Sequence, residues 1–347
     1  MKKYFSPLFF AAIALYANDP NEHSVRPPEG HISHSAQPYV QNEVIEPYIE
    51  ASYIYFKIRE DGLDYVQKGV GTVQNPVTSK GKVYESDFSF ESGYQVGLGL
   101  NLGHDGWDLF LRYSWVSSHI QDTNRVDPSL EQLSPLWTNS FLDSFLGEVS
   151  KASSDWDFHF NTLDFEWGRN FYMSRHLTFR PFFGLKGFWI NQDFQVKYEG
   201  FLDQARTNPG KNTIDASQDT WGIGVLFGTN TAWYFAKNWS VFADMALSLA
   251  RTKFDLERKD KGAQSGVDTT VLHVDYDRYS MTPILNLAAG LRWEMWFNCD
   301  RHHFLIQTGW EELVFWNFNR LYKTSEPSGT MGNLEMQGLN LKFRFDF

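Results

Sequence analysis

Residues 90 to 103 read FESGYQVGLGLNLG. Phe90, Ser92, Tyr94, Val96, Leu98, Leu100 and Leu102 alternate with Glu91, Gly93, Gln95, Gly97, Gly99, Asn101 and Gly103. Successive side chains of a strand point to opposite faces, so one side of this segment is greasy and the other small or polar. The run outlasts the roughly five or six residues of an ordinary soluble strand. His104-Asp105-Gly106 then makes a tight turn, and Trp107, Leu109, Leu111, Tyr113 and Trp115 resume the apolar series against Asp108, Phe110, Arg112 and Ser114. The two halves form one long hairpin.

The same unit recurs along the chain. Residues 163 to 169 and 177 to 190 flank YMSRH, residues 219 to 235 and 239 to 253 flank Ala236-Lys237-Asn238, and residues 280 to 297 and 303 to 316 flank Asn298 to His302. A first strand at 48 to 58 and a last at 335 to 347 bring the number to ten. Residues 59 to 89 and 118 to 154 have room for a further hairpin each, which makes twelve or more the alternative. Polar stretches at 118 to 154, 191 to 218 and 254 to 279 read as long loops. The expected fold is all-β: a transmembrane antiparallel up-and-down barrel of about ten strands, with short periplasmic turns and long extracellular loops. About ten residues at ~3.3 Å each, tilted ~40°, span the ~25 Å apolar band of such a barrel. Within the first long loop, Trp137, Phe141, Leu142, Phe145 and Val149 fall at helical spacing behind Ser134 and Pro135, which predicts a short helix over 134 to 150.

Composition fits a wall with two unlike faces. Aromatics make up 17% of the 347 residues, yet only 42% are hydrophobic and mean hydropathy is −0.41. Tryptophans gather near strand ends, as interfacial girdles require. The net charge of −11 argues against a nucleic-acid partner. A single cysteine, Cys299, excludes an internal disulfide framework. Lys2 and Lys3, the apolar run Leu8 to Ala14 and the small Ala17 read as a secretory signal peptide over 1 to 17. Residues 18 to 46, with four prolines and His23, His31 and His34, read as a flexible periplasmic leader, leaving 47 to 347 for the barrel.

The chain ends in LNLKFRFDF. Leu339, Leu341, Phe343, Phe345 and Phe347 share one face, with Asn340, Lys342, Arg344 and Asp346 on the other. A last strand that must meet lipid and close against the first leaves no unpaired edge in hydrocarbon. Leu341, Phe343, Phe345 and Phe347 are the expected assembly signal, read by the barrel-assembly machinery.

The stretch from Trp156 to Phe194, with LDFEWGRNF (Leu163 to Phe171) and LTFRPFFGLKGFWI (Leu177 to Ile190), resembles a pore-forming outer-membrane family. That family is the major-outer-membrane-protein-like one of Legionella and the environmental relatives of chlamydiae. TWGIGVLFG (Thr220 to Gly228), the strand Asn238 to Ala250 and the C-terminal strand are similar to it as well. The resemblance implies a bacterial outer-membrane barrel with porin-type permeability, and porin-like relatives imply a homo-oligomer. Chlamydial major proteins are cysteine-rich, whereas this chain has Cys299 alone, so a disulfide-linked coat is not implied.

The strand phase also sorts the charges. With Leu163, Phe165 and Trp167 toward lipid, Asp164 and Glu166 face inward, as do Arg112, Arg180, Lys186, Arg292, Glu294, Lys342 and Arg344. A charge facing lipid at mid-depth costs ~2 to 4 kcal/mol. These residues either brace the wall or line an aqueous lumen, and the sequence leaves both open. Ten strands close to a backbone cylinder of ~20 Å, so any pore is narrow. The Gly, Gln and Asn face of residues 90 to 103 is expected to keep one wall low. The expected function is passive diffusion of small hydrophilic solutes or ions. The alternatives are a non-conducting structural or adhesin barrel, or a barrel hydrolase using Asp155, Asp157 and His159, or His273, Asp275 and Asp277. No catalytic, cofactor-binding or metal-binding residue is assigned. Partners are the outer-membrane lipids, the assembly machinery and small solutes.

Overall fold

The computed structural model describes residues 45–70, 81–102, 105–127, 131–137, 149–174, 176–202, 209–264, 267–297, 302–321 and 332–347. The readings of a signal peptide, of most of the leader and of Cys299 fall outside them. In chain order the strands are β1 (Glu46–Glu60), β2 (Val66–Val70), β3 (Lys82–Tyr84), β4 (Phe90–Asn101), β5 (Trp107–Arg125), β6 (Glu131–Pro135), β7 (Lys151–Arg169), β8 (Phe171–Tyr172), β9 (Leu177–Leu202), β10 (Pro209–Ala236), β11 (Trp239–Gln264), β12 (Val267–Phe297), β13 (His302–Asn319) and β14 (Gly332–Asp346). Among the described residues, ten of these close an antiparallel barrel in the order β1-β4-β5-β7-β9-β10-β11-β12-β13-β14. The seam runs from Tyr48 opposite Asp346 to Glu60 opposite Leu334. Beyond it, the Phe347 backbone N–H donates to the Pro47 carbonyl at 3.2 Å.

One register row explains why the sheet closes in lipid. Phe304, Phe345, Ile49, Leu98, Leu111, Phe165, Leu185, Val225, Leu249 and Pro283 are consecutive cross-strand partners around all ten strands. Most of that row and of its outward neighbours stay exposed, among them Phe183, Ile223, Leu247 and Phe343. A continuous apolar girdle of this kind is stable in hydrocarbon and unstable in water. Trp167, Trp189, Trp221, Trp233, Trp239 and Trp310 stand along the belt with their rings exposed.

Beyond the belt the wall continues and its two faces exchange character. Residues 191 to 218 and 254 to 279, read from sequence as loops, are mostly strand: β9 with β10, and β11 with β12, run on as long hairpins. Residues 118 to 154 likewise contribute the ends of β5 and β7 and the strand β6. The two-residue rhythm persists there, but Asn191, Asp193, Gln195 and Lys197 face out while Gln192, Phe194, Val196 and Tyr198 are buried inside. Water now bathes the outer face, so the polar series moves outward and the apolar series fills the interior.

A three-stranded sheet, β3-β2-β6, caps this end. Tyr198 Oη donates to the Tyr65 carbonyl at 2.5 Å, and Trp137 Nε1 donates to the Asp64 carbonyl at 3.0 Å. The helix predicted over 134 to 150 is not formed at its start, because Ser134 and Pro135 belong to β6 and pair with Gln67 and Val66 of β2. Residues 138–148 of that stretch lie outside the described residues. A sheet edge was available to pair with, and it displaced the local capping signal.

The lumen as candidate functional site

The inward phase of the strands assembles a second row, of charges. Arg344 is opposite Glu50, Glu50 opposite Gly97, Gly97 opposite Arg112, Arg112 opposite Asp164, and Asp164 opposite Lys186. Charges of opposite sign therefore meet by register alone. Lys186 Nζ lies 2.5 Å from Asp164 Oδ1, and Arg112 Nη2 lies 3.0 Å from Asp164 Oδ2 and 3.6 Å from Glu166. Arg180 clasps Asp108 with Nε and Nη2, and its Nη1 reaches Glu166 at 2.8 Å and Asn230 at 2.7 Å. Buried carboxylates held by two cations resist loss of either partner strongly.

Nearer the turn end a second network forms on β13, β14 and β1. Arg344 Nη2 donates to Asp346 Oδ1 at 2.6 Å, and its guanidinium stands 3.6 Å over the Tyr48 ring. His303 Nδ1 meets Asp346 at 2.7 Å, its Nε2 lies 3.7 Å from Glu294, and its ring packs on Trp296. Lys342 faces Glu50 at 3.5 Å, while Arg292 donates to Gln307 and stands over Phe242. All nine charged residues singled out from sequence thus lie on the inner face, and they fall into these connected networks.

Sequence reasoning did not single out as lumen residues the partners that complete them: Tyr48, Glu50, Asp108, His303, Asp346, and Glu311, which accepts from Asn286 and Asn340. The signal was present. Each has the inward parity of its own strand, as Asp346 does beside Lys342 and Arg344.

The low wall expected along β4 is not open space. The Tyr48 and Phe110 rings stack at 5.7 Å over it. A Cβ at Gly99 would lie 1.9 Å from Tyr48 Cζ, and one at Gly97 2.5 Å from Phe110 Cζ. Those glycines admit aromatic rings rather than solute. A cavity of about 140 Å³ remains at the turn end, lined by Arg180, Arg292, Glu294, Arg344 and Tyr234 among others. A smaller one of about 40 Å³ continues it past Arg112, Glu166 and Lys342 to Asn286, Glu311 and Asn340. Above this level the interior turns apolar, with Ile54, Val116, Phe160, Phe188, Ile284, Leu313, Phe315 and Met336 joined in one core.

The carboxylates considered for hydrolysis lie elsewhere, on the outer wall beyond the belt. His119, not His159, bonds Asp157, at 2.7 Å, with Asp155 at 3.6 Å. That hydrogen bond raises the His119 pKa above its ordinary value. Glu257, rather than Asp277, is the carboxylate nearest His273, at 3.1 Å, with Asp275 at 3.4 Å.

Residues 43–347 match the family described as Legionella pneumophila major outer membrane protein precursor. The chain belongs to this family. It is an outer-membrane β-barrel protein, and its short turns take the periplasmic side. No curated protein sequence matches it. Among solved structures it is similar to the P. putida toluene transporter TodX, with 9% identity over 87% of this chain and 89% of that one and a TM-score of 0.29. A Pseudomonas aeruginosa FadL homologue gives 8%, 91%, 96% and 0.24 in the same order, and the trimer form of Vibrio cholerae OmpT gives 6%, 88%, 99% and 0.18. At such scores the likeness carries no argument about solute or mechanism.

Proposed function

We propose that this family member is a narrow porin-type channel for small hydrophilic solutes or ions, described here with its outer half closed by an apolar gate. The observation that carries the reading is the change of lumen character with depth. At belt level the interior holds ionised side chains around two successive cavities of about 140 and 40 Å³. A barrel that only had to be filled gains little from buried ion pairs over apolar packing. Directly above these cavities the barrel is packed mainly in the apolar way, and the buried Arg258–Asp260 pair lies further out, beneath the cap. The polar column therefore serves water and solute, and the apolar section above it blocks passage by excluding water.

A second reading is a non-conducting structural barrel, favoured by the same apolar section if it never opens. Planar-bilayer recording of refolded protein separates the two. Discrete conductance steps, enlarged in gate variants, support the channel; silence in the wild type and in gate variants alike overturns it. The same proposal keeps residues 1–17 as a removed signal and 18–46 as leader. Outer-membrane lipids sit against the belt, the assembly machinery reads Leu341 to Phe347, and the barrels associate as a homo-oligomer.

A further inference from the structure

Among the described residues, one enclosed cation at the outer end of the barrel has no counter-charge. Arg320 directly follows β13 and is only 8% exposed. Its Nε and Nη1 are enclosed and donate to nothing. The residue is nevertheless held firmly: its backbone N–H donates to Gln218 Oε1 at 2.8 Å, and its guanidinium stands 5.8 Å over the Phe254 ring. Elsewhere the barrel pairs its enclosed arginines, as Arg258 with Asp260 at 2.8 Å and Arg112 with Asp164 at 3.0 Å. Among the described residues no carboxylate pairs with Arg320.

A second cation bears on it. Arg278 on β12 is the direct cross-strand partner of Phe254, so its side chain shares the face on which the Phe254 ring lies. Arg320 and Arg278 thus both stand next to Phe254, one over its ring and one opposite it in the register. Burial, and next the like charge of Arg278, disfavour the ionised form of Arg320. An enclosed and unpaired guanidinium is strongly destabilising unless something from outside completes it. The planar fork of an arginine matches the two oxygens of a carboxylate or phosphate.

We propose that Arg320 and Arg278 form an oxyanion-binding site in the outer mouth of the barrel, which takes the phosphate or carboxylate group of a small solute. The site lies above the apolar gate and does not depend on whether the lumen conducts. It gives the mouth a preference for anionic solutes at the point of entry.

The test uses the full refolded chain in detergent and reads the temperature at which half of it loses its compact electrophoretic form. Inorganic phosphate and acetate are titrated separately at constant ionic strength against chloride, which distinguishes a phosphate from a carboxylate site. The expected result is a saturable rise on the order of 3 °C with one of the two. Arg320→Met removes that rise and by itself raises the midpoint in anion-free buffer, an effect that a purely structural arginine would not give. Arg278→Gln weakens the response about tenfold. Should Arg320→Met not fold, Arg320→Lys keeps the charge, loses the fork and is expected to bind at least tenfold more weakly. Wild-type protein indifferent to both anions, or a response that survives in the Arg320 variants, overturns the proposal.

Discussion

Phe160 on β7 and Phe315 on β13 meet edge to face across the lumen, with ring centroids 5.9 Å apart and planes at 88°. Their strands are not neighbours in the sheet. Phe188 of β9 packs on the same Phe315 ring at 5.3 Å, so three walls of the barrel are joined through one side chain. Such a contact braces the barrel across its interior at that depth, and the proposed channel would have its barrier there.

Replacing both Phe160 and Phe315 with serine should open that level. Single-channel conductance or open probability is expected to rise several-fold over wild type in planar bilayers. Each substitution should also cost on the order of 3 kcal/mol of stability, because a buried ring is lost without collapse of its cavity. Unchanged conductance from a folded double variant would mean that the barrier lies at another level.

Glu60 is a pH-sensitive group of the outer core. It lies beyond the membrane belt and is fully buried, with Oε1 accepting from Gln192 at 2.9 Å and Oε2 unpartnered. Burial pushes its pKa up to about 8, with the charge of Asp61 adding and the Gln192 hydrogen bond opposing. The folded state therefore binds a proton between pH ~4.5 and ~8 that the unfolded state has released. Stability should fall as pH rises through that window and stay level above it. Glu60→Gln should remove the slope and add roughly 3 to 5 kcal/mol at pH 8, an upper bound for an idealised burial. Urea titrations of the two proteins at pH 5 and pH 8 check the sign.

The Asp164 and Lys186 pair lends itself to a double-mutant cycle. Asp164→Leu strands a buried ammonium and should cost about 3 to 5 kcal/mol, whereas Asp164→Leu combined with Lys186→Met should recover most of that loss. A double variant whose loss equals the sum of the losses of Asp164→Leu and Lys186→Met measured separately would show that the pair is not coupled.

Phe347 anchors the seam through its bond to Pro47 and its edge contact with Phe345 at 5.0 Å. Deleting it should leave export intact while lowering the heat-modifiable fraction in the outer membrane several-fold. Cell fractions run on gels with and without boiling report both quantities. A normal folded fraction would remove Phe347 from the assembly signal.

Much of the wall was legible because parity along a strand is a local property. FESGYQVGLGLNLG and LNLKFRFDF each state which side faces lipid, and the inward placement of Arg112, Asp164, Glu166, Arg180 and Lys186 follows from counting by twos. Glu50, Asp108 and Asp346 obeyed the same count. Asp108 and Asp346 already stood on the polar side of their series, whereas nothing in the sequence of β1 marked Glu50 as a partner for Arg344 and Lys342 on a strand almost three hundred residues away.

What the sequence determined by itself is the barrel, its closing strand and the sorting of charges inward, since a strand of period two beside lipid admits one orientation only. The tertiary structure decided where the membrane stops and how far the wall goes on. Residues 191 to 218 keep their rhythm but reverse which face is apolar, and that reversal acquires meaning only when water replaces lipid outside and loop residues such as Tyr65 and Trp137 fill the inside. It also decided that the glycines of β4 are roofed by Tyr48 and Phe110, and that Arg320 has no counter-charge among the described residues. These outcomes depend on side chains from strands far apart in the chain, and close packing between them cannot be read from any one segment.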